Sequence, residues 1–334
     1  MNEMENRMKQ KAIKINQDAP LFDLHLDTFS SDRTFEQIIN GSDKGQSDIP
    51  RMLDGGYKGG LFSIFVHPRN EGNYTQVFDS IYSKFSRCES EEVEQVKWIK
   101  NFKEIDTEGK QINALLEIEG LHTLRPSLSE IERCFKLGIR VFTLTWNNSN
   151  HFATSALDAH SSKTDNGLSQ IGKEAVRMIN DLGAIIDLAH SSKKTFFDVL
   201  EISSTPPIVS HTGFSFGRDV FRNIDEEQVK ALYSVKGIAG LYFIPEFLNR
   251  EGNTQITLRE ISELVARFVE IAGIESCGLG SDFDGTNYLP EGISDCSDIW
   301  KLTDALLQFG FSEDDIKKMM GGNFIQLLNN AFIK

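Results

Sequence analysis

The sequence predicts an α/β protein of the (β/α)8 TIM barrel class, and three observations support this prediction. Short apolar segments recur along the 334 residues, each followed by a stretch with helical periodicity, as expected for parallel strands joined by crossover helices. Eight such units can be counted, and eight is the number that closes this barrel. The segments are continuously apolar, which is typical of strands buried on both faces.

The predicted strands run through most of the chain and define the barrel in order. They are Leu21–Leu26, Gly60–Val66, Ile112–Ile118, Val141–Thr145, Ala184–Leu188, Pro207–Ser210, Gly237–Phe243 and Cys277–Gly280. Helical periodicity predicts helices between them. These are Glu91–Phe102, Leu128–Leu137, Gln170–Leu182, Asp225–Ser234 and Leu258–Ala272. Glycines at C-cap positions follow three of these helices, namely Gly138, Gly183 and Gly273.

The two ends of the chain lie outside this repeating pattern. The tail, Ser312–Ile333, is predicted to form two helices broken at Gly321–Gly322, with Ser312 and Asn323 as N-caps. No low-complexity linker divides the sequence. We therefore expect residues 1–18 to be a flexible N-terminal segment and residues 19–334 to form one barrel domain that ends in C-terminal helices.

Composition and charge exclude several classes of function. Lys and Arg number 35 against 49 Asp and Glu, a net charge of −14 that would repel phosphate backbones and anionic lipids. We therefore expect neither nucleic acid nor membrane binding. The first 17 residues lack the apolar core of a signal peptide, and the four cysteines form no C-x-x-C pair. These features favour a cytoplasmic location.

Polar residues follow five of the predicted strands at their C-terminal ends, where the active site of a β/α barrel lies. Six side chains are expected to meet there. They are His25 and Asp27 at the end of the first strand, Glu119 at the end of the third, His190 at the end of the fifth, His211 at the end of the sixth and Asp282 at the end of the eighth.

The spacing and type of these residues indicate a metal site. In His25-Leu26-Asp27 the two polar side chains share one face of a strand, although such a pair alone is more often a hydrogen-bonded strand end. His190 and His211 end consecutive strands, where neutral imidazole can bind zinc. Each alone would more often have a structural role, but their placement together favours a metal.

Two acids complete the predicted centre. Glu119 has two carboxylate oxygens that can bridge two cations, and Glu117 lies on the same strand face. An ion pair with a neighbouring lysine is the alternative role for either acid, and more so for Glu117. Asp282 lies in Gly280-Ser281-Asp282-Phe283-Asp284-Gly285 and is the natural proton shuttle. The mixed nitrogen and oxygen ligands suit zinc, and a two-metal centre predicts hydrolysis of an amide or ester.

Several short motifs across residues 20–330 resemble one known family. They are Asp23-Leu24-His25-Leu26-Asp27, Asp48-Ile49-Pro50-Arg51, Glu119-Gly120, Gly167-Leu168, Asp187-Leu188-Ala189-His190-Ser191, Ser210-His211, Arg222-Asn223, the Gly280–Gly285 motif and Gly321-Gly322-Asn323-Phe324. The sequence resembles the membrane (renal) dipeptidase family, peptidase family M19, within the amidohydrolase-like barrels. This resemblance implies a barrel of the metallo-dependent hydrolase type.

The resemblance also implies a ligand set for two zinc ions. His25 and Asp27 would hold one ion, His190 and His211 would hold the other, and Glu119 would bridge them. Other divalent ions would suit the same ligands. Glu119 and Asp282 would thus be the catalytic acids of the centre.

The resemblance also implies substrate-binding residues, and at one of these positions the sequence departs from the family pattern. Arg222 would bind the substrate carboxylate, and Asp282 would meet the amino end or move the proton. Many relatives have a histidine after the Leu-Thr of the fourth strand that is thought to steady the substrate carbonyl, whereas Trp146 follows Leu144-Thr145 here. Trp146 is retained as a substrate-binding candidate, and residues of the same loop could take the histidine's role: Asn148, Asn150 or His151.

The resulting hypothesis is a zinc-dependent dipeptidase that hydrolyses free dipeptides through a metal-bridging hydroxide. One alternative is a barrel metallohydrolase of another substrate class, a lactonase or an N-acyl amino acid deacylase. Another is a non-catalytic binding barrel. Arg222 discriminates between the dipeptidase hypothesis and the first alternative, because its guanidinium group has a binding role only if the substrate has a free carboxylate. The sequence leaves open the preferred dipeptides, tolerance of a C-terminal D-residue, the metal used in vivo and the oligomeric state, with a homodimer as one option.

Overall fold

A sheet of parallel strands forms the centre of the computed structural model, which describes residues 3–333. The strands are β1 Phe22–Leu26, β2 Gly59–Phe65, β3 Val96–Trp98, β4 Ile112–Glu119, β5 Ile139–Thr143, β6 Ile185–Asp187, β7 Ile208–Thr212, β8 Ile238–Leu241 and β9 Cys277–Leu279. Eight of them are neighbours in the order β1-β2-β4-β5-β6-β7-β8-β9, while β3 pairs only with β4. These eight correspond to the predicted strands.

The sheet curves into a nearly closed barrel. The segment after β9 returns to β1, where a parallel bridge joins Leu26 and Phe283. The Asp282 amide donates to the His25 carbonyl at 3.2 Å, and the Asp27 amide donates to the Phe283 carbonyl at 3.0 Å. All eight residues of β4 are buried, as a strand covered on both faces requires. The predicted (β/α)8 barrel is therefore confirmed.

Helices connect the strands and cover the outside of the barrel. They are α1 Glu3–Asp18, α2 Phe35–Asn40, α3 Ile49–Gly55, α4 Tyr74–Ser90, α5 Leu128–Lys136, α6 Ala156–Ser162, α7 Gln170–Asp181, α8 Lys193–Ile202, α9 Glu226–Ser234, α10 Pro245–Leu248, α11 Leu258–Ala272, α12 Trp300–Phe309, α13 Glu313–Lys317 and α14 Asn323–Leu327. The predicted helices that match α5, α7, α9 and α11 are confirmed to within about two residues. Within residues 3–333, no helix is both long and apolar enough to cross a membrane.

The predicted helix over Glu91–Phe102 is wrong. The helix of this region is α4, which ends at Ser90, and the segment that follows contains β3. Val96 pairs with Ile112 and Trp98 pairs with Ala114, both of β4. A three-residue strand is too short to show an alternating pattern. The periodicity of the segment therefore pointed to a helix, although pairing with β4 determined its structure.

The N-terminal segment is also more ordered than expected, because residues 3–18 form α1. Ala12 and Ile15 of this helix are buried, and α1 packs against α12. The hydroxyl of Thr303 in α12 donates to the Asn16 side-chain oxygen at 2.6 Å. The expectation of a flexible segment therefore does not hold for residues 3–18, since their apolar face has a partner elsewhere in the sequence.

The C-terminal helices break where glycine was expected to break them. Gly321 has φ of 139°, and a Cβ at this position would lie 2.0 Å from the Pro20 carbonyl oxygen. Ser312 caps α13 by accepting from the Asp315 amide, as predicted. The prediction of an N-cap at Asn323 is wrong, because this residue is helical. Its side chain instead donates to the carbonyl of Ile274, just before β9, and to that of Cys277, the first residue of β9.

Candidate metal centre

Six side chains from the C-terminal ends of five strands meet at the mouth of the barrel. They are His25, Asp27, Glu119, His190, His211 and Asp282, none more than 8% exposed. Their nitrogen and oxygen atoms fall into three overlapping groups, in each of which the ligand atoms lie within 4.8 Å of one another. The structure thus brings together every side chain that was predicted to form the centre.

Glu119 lies between two sets of histidine nitrogens. Its Oε2 atom is 3.7 Å from His25 Nε2. Its Oε1 atom is 3.1 Å from His190 Nε2 and 3.6 Å from His211 Nε2. Asp27 is on the His25 side, with 3.8 Å between its Oδ2 and His25 Nε2. The two oxygens of one carboxylate therefore face two different donor groups, which is the arrangement of a bridging ligand.

The three histidines are oriented by hydrogen bonds at their outer ring nitrogens. In each ring Nδ1 contacts a neighbouring side chain, while Nε2 points into the centre. The contacts are His25 to Glu117 Oε2 at 2.9 Å, His190 to Asn147 Oδ1 at 2.9 Å and His211 to Ser210 Oγ at 2.8 Å. Such partners fix the tautomer and the orientation of metal-binding histidines. None of these three partners was predicted from the sequence to orient a histidine.

The electrostatics of the centre favour occupancy by a cation. Burial lowers the pKa of His190 and of His211 well below its usual value, so both rings are neutral donors at pH 7. Burial also acts to lower the pKa of His25, but Glu117 and Glu119 outweigh it and raise that pKa well above its usual value. Burial raises the pKa of Glu119 well above its usual value. A positive charge beside these acids therefore stabilises the centre.

Two buried polar atoms of the centre lack a partner within the described residues, and this tests whether a metal fits. His25 Nε2 and Asp27 Oδ1 are both buried without a hydrogen bond. A buried polar atom without a partner costs on the order of 1–3 kcal/mol. Imidazole nitrogens and carboxylate oxygens are the donors that zinc and related divalent ions prefer. The residues therefore fit divalent metal ions.

Local backbone conformation and a glycine position three side chains of the centre, His190, Asp282 and Asp27. His190 and Asp282 have φ of 61° and 64°, in the left-handed region that few non-glycine residues adopt. The chain thus turns sharply at the strand ends and directs both side chains inward. A Cβ on Gly285 would lie 2.1 Å from Asp282 Oδ1 and 2.4 Å from Asp27 Oδ2. A side chain at position 285 is therefore incompatible with the positions of both carboxylates.

A cavity of about 570 Å³ opens over the centre and has the size of a small-molecule site. Arg222 lines it and is 4% exposed. One guanidinium nitrogen of Arg222 donates to the His211 carbonyl at 2.8 Å, so the side chain is fixed beside a predicted metal ligand. Asp282 lines the same cavity, as expected. An anionic group of a ligand could therefore meet Arg222 while another part of it faces the centre.

Of the loop residues predicted to bind substrate, Trp146 lines the cavity but Asn150 and His151 do not. The Trp146 ring lies 5.0 Å from that of Phe65 and 6.1 Å from that of His190, and so forms a wall of the cavity. The Asn150 side chain instead stabilises its own loop, donating to the Leu144 carbonyl and accepting from the Phe152 amide.

His151 does not reach the centre's cavity. It is exposed, and its carbonyl accepts from the Ser169 hydroxyl. Asn148 does not line the cavity either. The residue of this loop that sequence analysis missed is Asn147, which lines the cavity and contacts His190. Its position directly after Trp146, which was itself predicted to bind substrate, was the sequence feature from which Asn147 could have been predicted.

Comparisons with known proteins identify the family of the chain. The model of the membrane dipeptidase family, peptidase family M19, matches residues 9–332. Two uncharacterised dipeptidases of Schizosaccharomyces pombe are 28% identical to the chain over 296 and 299 residues. These matches cover 84% and 85% of this chain and 71% and 72% of the relatives.

Solved structures share the fold. The dipeptidase AC of family M19 superposes with a TM-score of 0.88 at 24% identity, covering 95% of this chain and 99% of that one. A metallo peptidase from Rhodobacter sphaeroides, liganded with a phosphinate mimic of the dipeptide L-Ala-D-Ala, gives 0.86 at 23% identity over 94% and 99%. The chain therefore belongs to the membrane dipeptidase family and is a metallopeptidase of peptidase family M19.

Proposed function

We propose that the protein hydrolyses free dipeptides with two zinc ions bound in the centre. The observation that carries this proposal is the division of the Glu119 oxygens between two donor groups. His25 and Asp27 would hold one ion, His190 and His211 would hold the other, and Glu119 would contact both. Two divalent ions in such a centre lower the pKa of a water molecule and polarise the substrate carbonyl.

Arg222 would select substrates that end in a free carboxylate. A guanidinium group can bind a carboxylate through two parallel hydrogen bonds, and burial strengthens such a pair. Arg222 and the centre line one cavity, so a short peptide can meet both. The dipeptide mimic bound by the Rhodobacter sphaeroides relative supports a dipeptide substrate.

Asp282 would move the proton that the leaving amine needs. Its Oδ1 atom lies 3.9 Å from His25 Nε2. Burial raises the pKa of Asp282 to about 7, with His25 lowering it and Asp27 raising it. A carboxyl group with a pKa near the working pH both accepts and donates protons effectively. This environment suits Asp282 to the transfer from water to the leaving group.

The experiment that tests the proposal compares free dipeptides with their C-terminal amides, in the zinc-loaded wild type and in Arg222→Met. Losing a charge-assisted pair costs ~1.5–3 kcal/mol, so kcat/KM for free dipeptides should fall by roughly 10- to 150-fold. The amides should be poor substrates of the wild type and should lose far less. Arg218→Met is the control, because Arg218 lies in the same loop but does not line the cavity.

Two results would contradict the proposal. Equal cleavage of acids and amides by the wild type would remove the carboxylate from recognition, and an equal loss for both in Arg222→Met would give Arg222 a purely structural role. Either result would favour a barrel metallohydrolase whose substrate has no free carboxylate, such as a lactonase.

A further inference from the structure

The cavity contains a charged side chain that the proposed hydrolytic step does not use. Glu246 lies in α10, which follows β8, and its side chain lines the same cavity as Arg222 and Asp282. Its Oε2 atom is buried and has no hydrogen-bond partner in the part of the chain that the structure describes. A carboxylate that the protein leaves without a partner is stabilised when a ligand brings a positive charge.

Glu246 is separate from the metal centre. Three groups of potential ligands have their atoms within 4.8 Å of one another, and Glu246 belongs to none of them. Its carboxylate is therefore set apart from the atoms that would hold metal. The α-ammonium group of a dipeptide is attached one carbon from the scissile carbonyl and must stay close to the centre. A cation on a long side chain is better suited to reach Glu246.

The surroundings of Glu246 match such a side chain. Ile244 and Phe247, on either side of it in the sequence, also line the cavity. Lysine and arginine side chains combine an apolar stem with a charged tip, and the stem packs on apolar surface. Arg222 follows β7 and Glu246 follows β8, the neighbouring strand. Both side chains line one cavity, so a ligand whose carboxylate meets Arg222 can present a long side chain to Glu246.

We infer that Glu246 binds the cationic side chain of the substrate's C-terminal residue, so that the enzyme prefers dipeptides ending in lysine or arginine. This inference rests on the proposed dipeptidase function and adds a specificity-determining residue to it. Arg222 would bind the substrate carboxylate, and Glu246 would discriminate among side chains.

The test compares Ala-Lys with Ala-norleucine, which has the same stem without the ammonium group. In the zinc-loaded wild type, kcat/KM should be about tenfold higher for Ala-Lys, the usual worth of a charge-assisted contact in a partly open cavity. Glu246→Gln should bring the ratio of the two values close to one. Glu246→Lys should reverse the preference, so that Ala-Glu becomes a better substrate than Ala-Lys.

The matched control is Glu251→Gln, which removes the same charge from an exposed position shortly after α10. It should keep the wild-type ratio, because a general attraction of cations to an acidic protein does not depend on position 246. A wild-type ratio near one would overturn the inference. So would an equal loss for both dipeptides in Glu246→Gln, which would place the α-ammonium group beside Glu246.

Failure of the proposed function can be told apart from failure of this inference. If the zinc-loaded wild type hydrolyses neither dipeptide, the proposed function has failed. Calorimetric binding of the same two dipeptides to the same proteins then still tests Glu246. Tighter binding of Ala-Lys that Glu246→Gln abolishes would support the inference, and equal binding of both dipeptides would overturn it.

Discussion

Glu117 is expected to strengthen metal binding without touching the metal, and Glu117→Gln tests this. Glu117 is fully buried, and its Oε2 atom lies 2.9 Å from His25 Nδ1. Its Oε1 atom accepts from the Thr143 hydroxyl, which also lies 2.7 Å from Asp187 Oδ2. In the variant, the amide oxygen can accept from His25, and the amide nitrogen can donate to Thr143. Thr143 can then donate to Asp187, so the hydrogen bonds are kept and only the charge is lost.

The size of the effect follows from this exchange. A hydrogen bond to a charged group contributes ~1.5–3 kcal/mol and a neutral one ~0.5–1.5 kcal/mol. The difference of roughly 1–1.5 kcal/mol corresponds to a loss of about five- to fifteenfold in affinity. Solvent screening is small because neither side chain is exposed. Since His25 is expected to hold one ion only, one of the two binding steps should weaken and the other should not.

The assay is competition for zinc with a coloured chelator at about pH 8. Burial raises the pKa of Glu117 to about 7, while His25 lowers it, so the wild-type carboxylate is largely ionised at that pH. Thermal unfolding of both metal-free proteins controls for damage to the barrel. Zinc affinities within twofold of wild type at both steps would refute the argument, and an equal loss at both steps would show that the centre is not divided as described.

Two further predictions concern the acids of the centre. Asp282→Asn should keep nearly all bound metal, because asparagine tolerates the positive φ at this position. It should lower kcat, measured with a saturating dipeptide, by about 10²–10⁴. An unchanged kcat would assign the proton transfer to another group. Gly285→Ala should reduce bound zinc and activity together, because its Cβ would displace the Asp27 and Asp282 carboxylates. The control is Gly109→Ala, whose Cβ would meet mainly the exposed Asp106 side chain, and it should retain both bound zinc and activity. Normal zinc content in Gly285→Ala would contradict the prediction that its Cβ displaces the two carboxylates.

Much of the fold could be predicted because a buried parallel sheet leaves a strong local signal. Most barrel strands contain a short run of apolar residues, and active-site residues lie at the C-terminal ends of the strands in a β/α barrel. His190 and His211 could be predicted to meet for this reason, although 21 residues separate them. The position of β3 could not, because three residues show no periodicity and the strand depends on β4 for pairing.

The partners of the histidines depended on contacts that no local pattern contains. Glu117 meets His25 although their strands, β4 and β1, are separated by β2 in the sheet. The loop after β5 turns so that Asn147 faces His190 while His151 is exposed. Irregular loops have no period from which the direction of a side chain can be deduced. Asn150 and His151 were therefore expected in the cavity, and Asn147 was overlooked.

The most direct test of the proposed two-zinc dipeptidase is a zinc titration of the metal-depleted protein that records bound zinc and dipeptide hydrolysis together. The structure places one group of potential metal ligands on each side of Glu119. Hydrolysis should therefore rise until two equivalents of zinc are bound per chain and then remain constant. Full activity at one equivalent, or two bound equivalents without hydrolysis of any free dipeptide, would contradict the proposal.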